Sequence, residues 1–405
     1  MGGKAIELLI RQLFNKLHNC LDYSAVRVII VNMERVQKQH ILKDLDKKMV
    51  FVAGPRQAGK TWLAKEIAKH FEHSVYLNYD QIEHREIIKN QEWRDTTDLI
   101  VFDELHKMPE WKNYLKGVYD TKPANIRILV TGSARLDIYS RVGDSLAGRY
   151  FLHHLLPLSL SELNQLGESA SLNHLLKRGG FPEPFLLPTD LDAERWRDQY
   201  INSLLSTDIF EIDNVRNINA IQLVFKLLRH CVGSPVSYQS LAEDVGVAIN
   251  TIKKYIEILE ALYVIFRVIP YSKNIARSIL KEPKIYFFDT GLVNGDEGIK
   301  LENLTAVSLL KHALAKRDYL AEHYNLSYLR TREKQEVDFA LVKDESIEKI
   351  IEVKLSASDI NKSLFYFHKK YHLPAIQIVK NLKIERKKEG IEIIKADAFL
   401  KDLYL

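Results

Sequence analysis

The sequence predicts an α/β protein: a parallel sheet with flanking helices, then a helix-turn-helix module, then a second mixed α/β region. Three observations carry this. Between about residues 48 and 155, short β-rich runs alternate with helical ones, the pattern of a parallel sheet covered by helices. Residues 233–275 read as helix, glycine-containing turn, helix and a hairpin-like β-rich end. From about residue 283 the β-rich runs "KIYFFD", "EVDFALV", "EKIIEVK" and "AIQIV" return, interspersed with helical segments.

The elements follow in order. Residues 1–32 read as a short helix and the apolar run "AVRVIIV", either an added arm or an over-extended start; they carry no catalytic signal. Met33 opens "MERVQKQHILKDL", a helical lead into a first domain spanning 33–190. Its strands are "MVFVAG", "SVYLNYD", "LIVFDE", "IRILVTGS" and "YFLHHLLPLS", with "WLAKEIAKHF" and "WKNYLKGVYD" as helices between them. Loop material at "RGGFPEPFLLPTD" closes that domain. Residues 191–282 form a helical linker and the helix-turn-helix module, and residues 283–405 a final α/β domain.

A chain of 405 residues is long enough for two or three domains, since single cores rarely grow past roughly 250–300 residues. With 46% hydrophobic and 27% charged residues the composition is that of an ordinary soluble globular protein. A net charge of +5 permits a nucleic-acid partner without arguing for one. Cys20 and Cys231 lie outside any metal-ligand spacing, so neither a disulfide framework nor a zinc module is implied and a reducing cytoplasm fits. No apolar run approaches the roughly 18 residues of a membrane span, and Ile6 stands where a myristoylation signal requires Ser or Thr.

"GPRQAGKT" is the strongest motif. Gly54, Pro55, Arg56, Gln57, Ala58, Gly59, Lys60 and Thr61 join a strand to a helix, the setting in which backbone N–H groups close on phosphates at a helix N-terminus. Lys60 is expected to neutralise phosphate charge and Thr61 to ligate Mg²⁺. "DLIVFDELH" then ends an apolar strand in Asp103, a second Mg²⁺ ligand, and Glu104, a carboxylate to activate water. Thr131 and Ser133 end a further strand as candidate γ-phosphate sensors, and Arg149 is a candidate arginine finger reaching the ATP of a neighbouring copy in a homo-oligomer.

With "GPRQAGKT", "VFDELHKMPEWKNYLKGVYD", "TGSARL", "SLAGR", "PLSLSEL" and "GGFPEP" in this order, residues 35 to 400 resemble the AAA+ type P-loop ATPases of bacteria and archaea that carry an uncharacterised C-terminal domain. The resemblance implies a P-loop AAA+ parallel sheet and ATP with Mg²⁺ as cofactors. Trp62 is bulkier than the small residue expected after the threonine.

In the middle module, Leu241, Ala242 and Val245 on one helix and Ile252, Ile256, Leu259 and Leu262 on the next form a small core at helical spacing. As a winged helix-turn-helix it would present Asn250, Thr251, Lys253 and Lys254 to DNA, or serve as a lid or protein contact. In the last domain Asp338 on one strand and Glu352 with Lys354 on the next form a metal-dependent phosphodiesterase constellation, the carboxylates holding Mg²⁺ and the lysine steadying charge. With Glu302 opening a preceding helix, this end resembles the restriction-endonuclease-like PD-(D/E)xK fold. Either this domain cuts DNA, or it is a nuclease-like remnant that binds a protein partner under nucleotide control.

Overall fold

The computed structural model describes residues 34–132, 146–167, 171–212, 217–272, 282–331, 333–356 and 359–405. The first domain is built on five parallel strands: β1 (Met49–Ala53), β2 (Ser74–Asn78), β3 (Leu99–Asp103), β4 (Arg127–Gly132) and β5 (Tyr150–His154). Their order is β2-β3-β4-β1-β5, so β4 is inserted between the strand before the P-loop and the strand ending in Asp103. Parallel strands buried on both faces read as continuous apolar runs, as "MVFVA" does. Met49, Phe51 and Ala53 pack on one face with Trp111, Leu115 and Val118 of α4 (Trp111–Thr121). Val50 and Val52 face α1 (Gln37–Leu45) and α2 (Lys60–Ala68) through Ile41, Leu63 and Ile67. α3 (Ile82–Asn90) follows β2.

After β5 come short helices α5 (Leu160–Gln165), α6 (Leu172–Arg178) and α7 (Pro182–Leu186), then α8 (Asp190–Ser203), α9 (Ile209–Ile212) and α10 (Ile218–Leu228). α11 (Tyr238–Val245) and α12 (Ile249–Ala261) turn about Gly246 and bury Leu241, Ala242, Ile252, Ile256, Leu259 and Leu262, with Val245 partly buried beside them. The antiparallel pair β6 (Ile265–Pro270) and β7 (Lys284–Phe287) completes this unit.

The chain then enters α13 (Glu297–Leu320), capped by the Asp296 carboxylate accepting from the Ile299 N–H at 2.9 Å. Glu302 therefore lies in the second turn of this helix instead of opening it, because Asp296 supplies an earlier cap. Strands β8 (Tyr324–Arg330), β9 (Glu336–Lys343), β10 (Ser346–Lys354), β11 (Ala375–Val379), β12 (Arg386–Lys388) and β13 (Ile391–Lys395) follow, with α14 (Lys362–Tyr371) before β11 and α15 (Ala396–Lys401) at the end. β6 pairs parallel with β8, so the hairpin and the last domain share one eight-stranded mixed sheet, β12-β13-β11-β10-β9-β8-β6-β7. One apolar cluster runs from Leu156 to Leu403, and the boundaries expected at 190 and 282 are both bridged by it.

Candidate functional site

The P-loop sits at the C-terminal edge of β1. A Cβ on Gly54 would lie 2.2 Å from the Leu155 carbonyl oxygen, so only glycine allows the loop to start this close to β5. Gly59 takes a left-handed φ of 96° and caps α2, turning the chain into the helix at Lys60. The Lys60 ammonium is buried and donates to the carbonyls of Gly54 at 2.9 Å and Pro55 at 2.7 Å.

Asp103 and Thr61 meet: the Thr61 hydroxyl donates to Asp103 Oδ2 at 2.9 Å. Register brings Asp103 opposite Thr131, whose hydroxyl donates to Asp103 Oδ1 at 2.5 Å. Thr131 is fully buried and holds Asp103, in place of the outward sensing role expected for it. Ser133 lies outside the described residues. Tyr76 of β2, which sequence reasoning missed, also donates its hydroxyl to Asp103 Oδ2. A tyrosine in a strand is ordinary, so "SVYLN" gives no signal of this contact.

Glu104 follows Asp103 with a left-handed φ of 56°, an uncommon conformation for a glutamate that concentrates at functional sites. Burial raises its carboxyl above the ordinary value, against the pull of Lys60, which suits a general base. His106 Nε2 lies 3.5 Å from Glu104 Oε2.

Burial pushes the Lys60 ammonium down to about 8, opposed by Glu104 and Asp103. Phosphate binding favours the protonated amine. ATP affinity is therefore expected to be level below pH 8 and to fall as pH rises through that value, by up to about tenfold per pH unit. Calorimetric titration from about pH 7 to about pH 9.5 checks this, and equal affinity at both ends contradicts it.

Further contacts tie the P-loop to distant parts of the chain. Arg56 Nη1 lies 2.5 Å from Asp208 Oδ1, just after α8, and the Tyr200 hydroxyl donates to the Arg56 carbonyl at 3.4 Å. Arg35 donates to the Ala58 carbonyl at 2.7 Å, the Leu156 carbonyl at 2.7 Å and Glu162 Oε1 at 2.6 Å. The second oxygen of Glu162 accepts from Lys311 of α13, which also donates to the Pro157 carbonyl at 2.9 Å. Arg35, Glu162 and Lys311 are all buried. Burial alone would raise the Glu162 carboxyl, yet the two cations pull it down to about 2. Sequence reading assigned no role to these residues, although Lys311 falls in phase with the buried Leu304, Ser308 and Ala315 on one helix face.

Arg149 lies at the opposite, N-terminal edge of the sheet from the P-loop, where its carbonyl accepts from Met49. Its guanidinium makes a bidentate pair with Asp120 of α4 at 2.8 and 3.0 Å. The expected arginine finger is thus engaged with its own chain and remote from its own nucleotide site.

In the last domain the structure does bring Glu302, Asp338, Glu352 and Lys354 together. Asp338 Oδ2 accepts from the Val353 N–H at 2.9 Å. Glu352 Oε1 accepts from Asn361 at 2.8 Å and pairs with Lys354 at 2.7 Å, while Glu352 Oε2 is buried without a hydrogen-bond partner. Tyr286 donates to Glu302 at 2.7 Å. Burial and the Asp338 charge push the Glu302 and Glu352 carboxyls up to about 7 and about 8. Two members were missed: Glu336, on the same strand face as Asp338, and Lys284 of β7. The Glu336 signal was present, since residues two apart share a strand face; a buried lysine at a strand start leaves none. Among the described residues no three His, Cys, Asp or Glu side chains are placed to hold a metal ion. No described helix is long and apolar enough to cross a membrane.

Residues 46–164 match the family described as AAA domain. Residues 169–303 and 297–399 each match a domain of unknown function, DUF8612 and DUF4143. Relatives include an uncharacterized protein of Mycobacterium tuberculosis, Rv2008c, 29% identical over 62% of this chain and 56% of the relative, so the match spans just over half of that protein. Another is the uncharacterized protein MJ1544 of Methanocaldococcus jannaschii, 26% identical over 83% of this chain and 82% of the relative. Among solved structures, the Walker-type ATPase of Pyrococcus abyssi aligns with 66% of this chain and 95% of its own at 12% identity and a TM-score of 0.42. The Thermotoga maritima RuvB Holliday junction branch migration motor aligns with 61% of this chain and 90% of its own at 17% identity and a TM-score of 0.30. The AAA-domain match and the five-stranded parallel sheet carrying the P-loop support an AAA-type ATPase.

Proposed function

We propose that the chain is a Mg²⁺-dependent ATPase whose nucleotide cycle is transmitted to its C-terminal region. The observation that carries this is the convergence of Lys60, Thr61, Asp103 and Glu104 at one sheet edge, with Asp103 held by Thr61, Tyr76 and Thr131. Thr61 and Asp103 offer hard oxygen donors side by side, which fits Mg²⁺ bound by one or two protein ligands plus substrate phosphates. Bound there, the ion would neutralise charge on the β- and γ-phosphates. Lys60 exchanges its Gly54 and Pro55 carbonyl partners for phosphate oxygens, and Glu104 accepts a proton from the attacking water. Phosphate release in ATP and Mg²⁺ tests the reading: chelation by EDTA and Lys60→Ala are each expected to abolish it, and release insensitive to both would refute it.

The route outward runs through the P-loop backbone. Ala58 is tied by Arg35 and Glu162 to Lys311 on α13, and Arg56 is tied to Asp208. α12 supplies a DNA-directed surface, with Asn250, Lys253 and Lys254 exposed on it. Exchanging Lys253 and Lys254 together for Glu is expected to weaken duplex binding and flatten its salt dependence, and unchanged binding would remove DNA from the reading.

For the last domain, the regulatory reading, a nuclease-shaped unit that binds a partner without cutting, is favoured over cleavage by the Lys284 ammonium lying among the carboxylates. Supercoiled DNA is then expected to stay intact in Mg²⁺ or Mn²⁺. Nicking that Asp338→Ala abolishes would contradict this.

A further inference from the structure

The carboxylates of the last domain surround a cation that belongs to the chain. Lys284 Nζ lies 2.9 Å from Glu336 Oε1, 3.4 Å from Glu302 Oε1 and 3.6 Å from Asp338 Oδ1. Its side chain is 1% exposed, so this ammonium has no water-filled alternative to turn to. Burial alone would lower its basicity, but Glu302, Asp338 and Glu336 overcome that and raise it.

The position is built. β7 pairs with β6 and bridges to Pro235, fixing where the Lys284 stem starts. The Tyr328 ring lies under the ammonium, 5.4 Å from ring centre to nitrogen. Tyr286, two residues on and on the same strand face, donates to the Glu302 oxygen that Lys284 approaches. A Cβ on Gly233 would stand 2.8 Å from both Glu302 oxygens, so glycine there leaves room for the carboxylate to face Lys284. Arg330 takes the second oxygen of Glu336 at 3.2 Å.

A divalent ion at this place would need oxygen ligands at about 2.0–2.6 Å from Asp338 and its neighbours. The Lys284 ammonium, 2.9 Å from Glu336 and 3.4 Å from Glu302 and lying 3.6 Å from Asp338 Oδ1, already supplies positive charge on this side of the cluster. Glu352 has one oxygen engaged by Lys354 and Asn361, while its other oxygen is buried without a hydrogen-bond partner. With Lys284 seated among Glu302, Glu336 and Asp338, the Asp338 side of the cluster does not fit the metal that the nuclease-like arrangement implies.

We infer that Lys284 is the resident cation of the Glu302, Glu336 and Asp338 carboxylates, supplying to the Asp338 side of a nuclease-shaped fold the positive charge that a metal would bring, so that no divalent ion binds there. This deepens the non-cleaving reading and rests on Asp338 and Glu352 being the ligand positions of such a fold. Lys284 is then what a metal must displace, and replacing it with a neutral side chain opens a divalent site.

The test is Mn²⁺ binding by the full chain without nucleotide, followed by electron paramagnetic resonance of the free ion, for wild type, Asp338→Asn, Lys284→Met, and Lys284→Met combined with Asp338→Asn. Wild type and Asp338→Asn are expected to bind Mn²⁺ indistinguishably. Lys284→Met is expected to gain one site at least tenfold tighter than any in wild type, and the added Asp338→Asn to remove it. Lys284→Gln serves as the second neutral variant should Lys284→Met fold poorly. A Mn²⁺ bound by wild type and lost in Asp338→Asn would overturn the role of Lys284 while leaving the nuclease-like reading standing. No gained site in either folded Lys284 variant would overturn both.

Discussion

Glu104→Gln is expected to bind ATP with near wild-type affinity and to hydrolyse it about 10²–10⁴-fold more slowly. The expectation follows from position. In the proposed site Lys60, Thr61 and Asp103 would hold phosphate and Mg²⁺, whereas Glu104 would hold neither and is set beside them by a left-handed backbone. Glutamine keeps the size and the hydrogen-bonding reach of the side chain and removes its capacity to take a proton. Its raised carboxyl pKa makes it a stronger base than a solvent-exposed glutamate. Nucleotide binding by fluorescence titration and phosphate release on the same preparation separate the two effects. Turnover within a few-fold of wild type would remove Glu104 as the base.

Glu162→Gln is expected to destabilise the chain by about 3–5 kcal/mol, the cost of leaving buried cations without their counter-charge. Arg35 and Lys311 both point at this one carboxylate, and neither can reach water. The pH dependence has a definite sign. Since the folded carboxyl lies near 2, below its ordinary 4.5, its stabilisation is full above about 4.5 and is lost as pH falls through about 2. Acid should therefore unfold the wild type through this group, and Glu162→Gln should lose that part of the acid sensitivity while being weaker at neutral pH. Denaturant midpoints from about pH 7 down to about pH 2 measure both. A midpoint at neutral pH equal to wild type would mean that the triad is not structural.

The first domain was legible because its chemistry is local. "GPRQAGKT" and "DLIVFDE" place the candidate phosphate, ion and base residues at strand ends, and the apolar strands declare a sheet buried on both faces. The last domain was legible in part for the same reason: Asp338 and Glu352 lie on paired antiparallel strands, where β9 runs beside β10. What sequence did not reveal were partners brought in from far along the chain. Arg35 reaches Glu162 across 127 positions, and Glu162 reaches Lys311 across 149. Nothing in "KIYFFD" marks Lys284 as buried; it is enclosed because β7 is covered by α13 and by the Pro235 segment. Nor did sequence show that Arg149, at the sheet edge remote from its own P-loop, pairs with Asp120 of α4.

If the nucleotide cycle is transmitted as proposed, α13 responds to nucleotide through Ala58, Arg35, Glu162 and Lys311, and amide hydrogen exchange of Glu104→Gln, with and without saturating ATP and Mg²⁺, measures that response. ATP is expected to change protection in the turns of α13 around Lys311 as well as in the P-loop. A change confined to the P-loop, with α13 exchanging identically in both states, would contradict the claim.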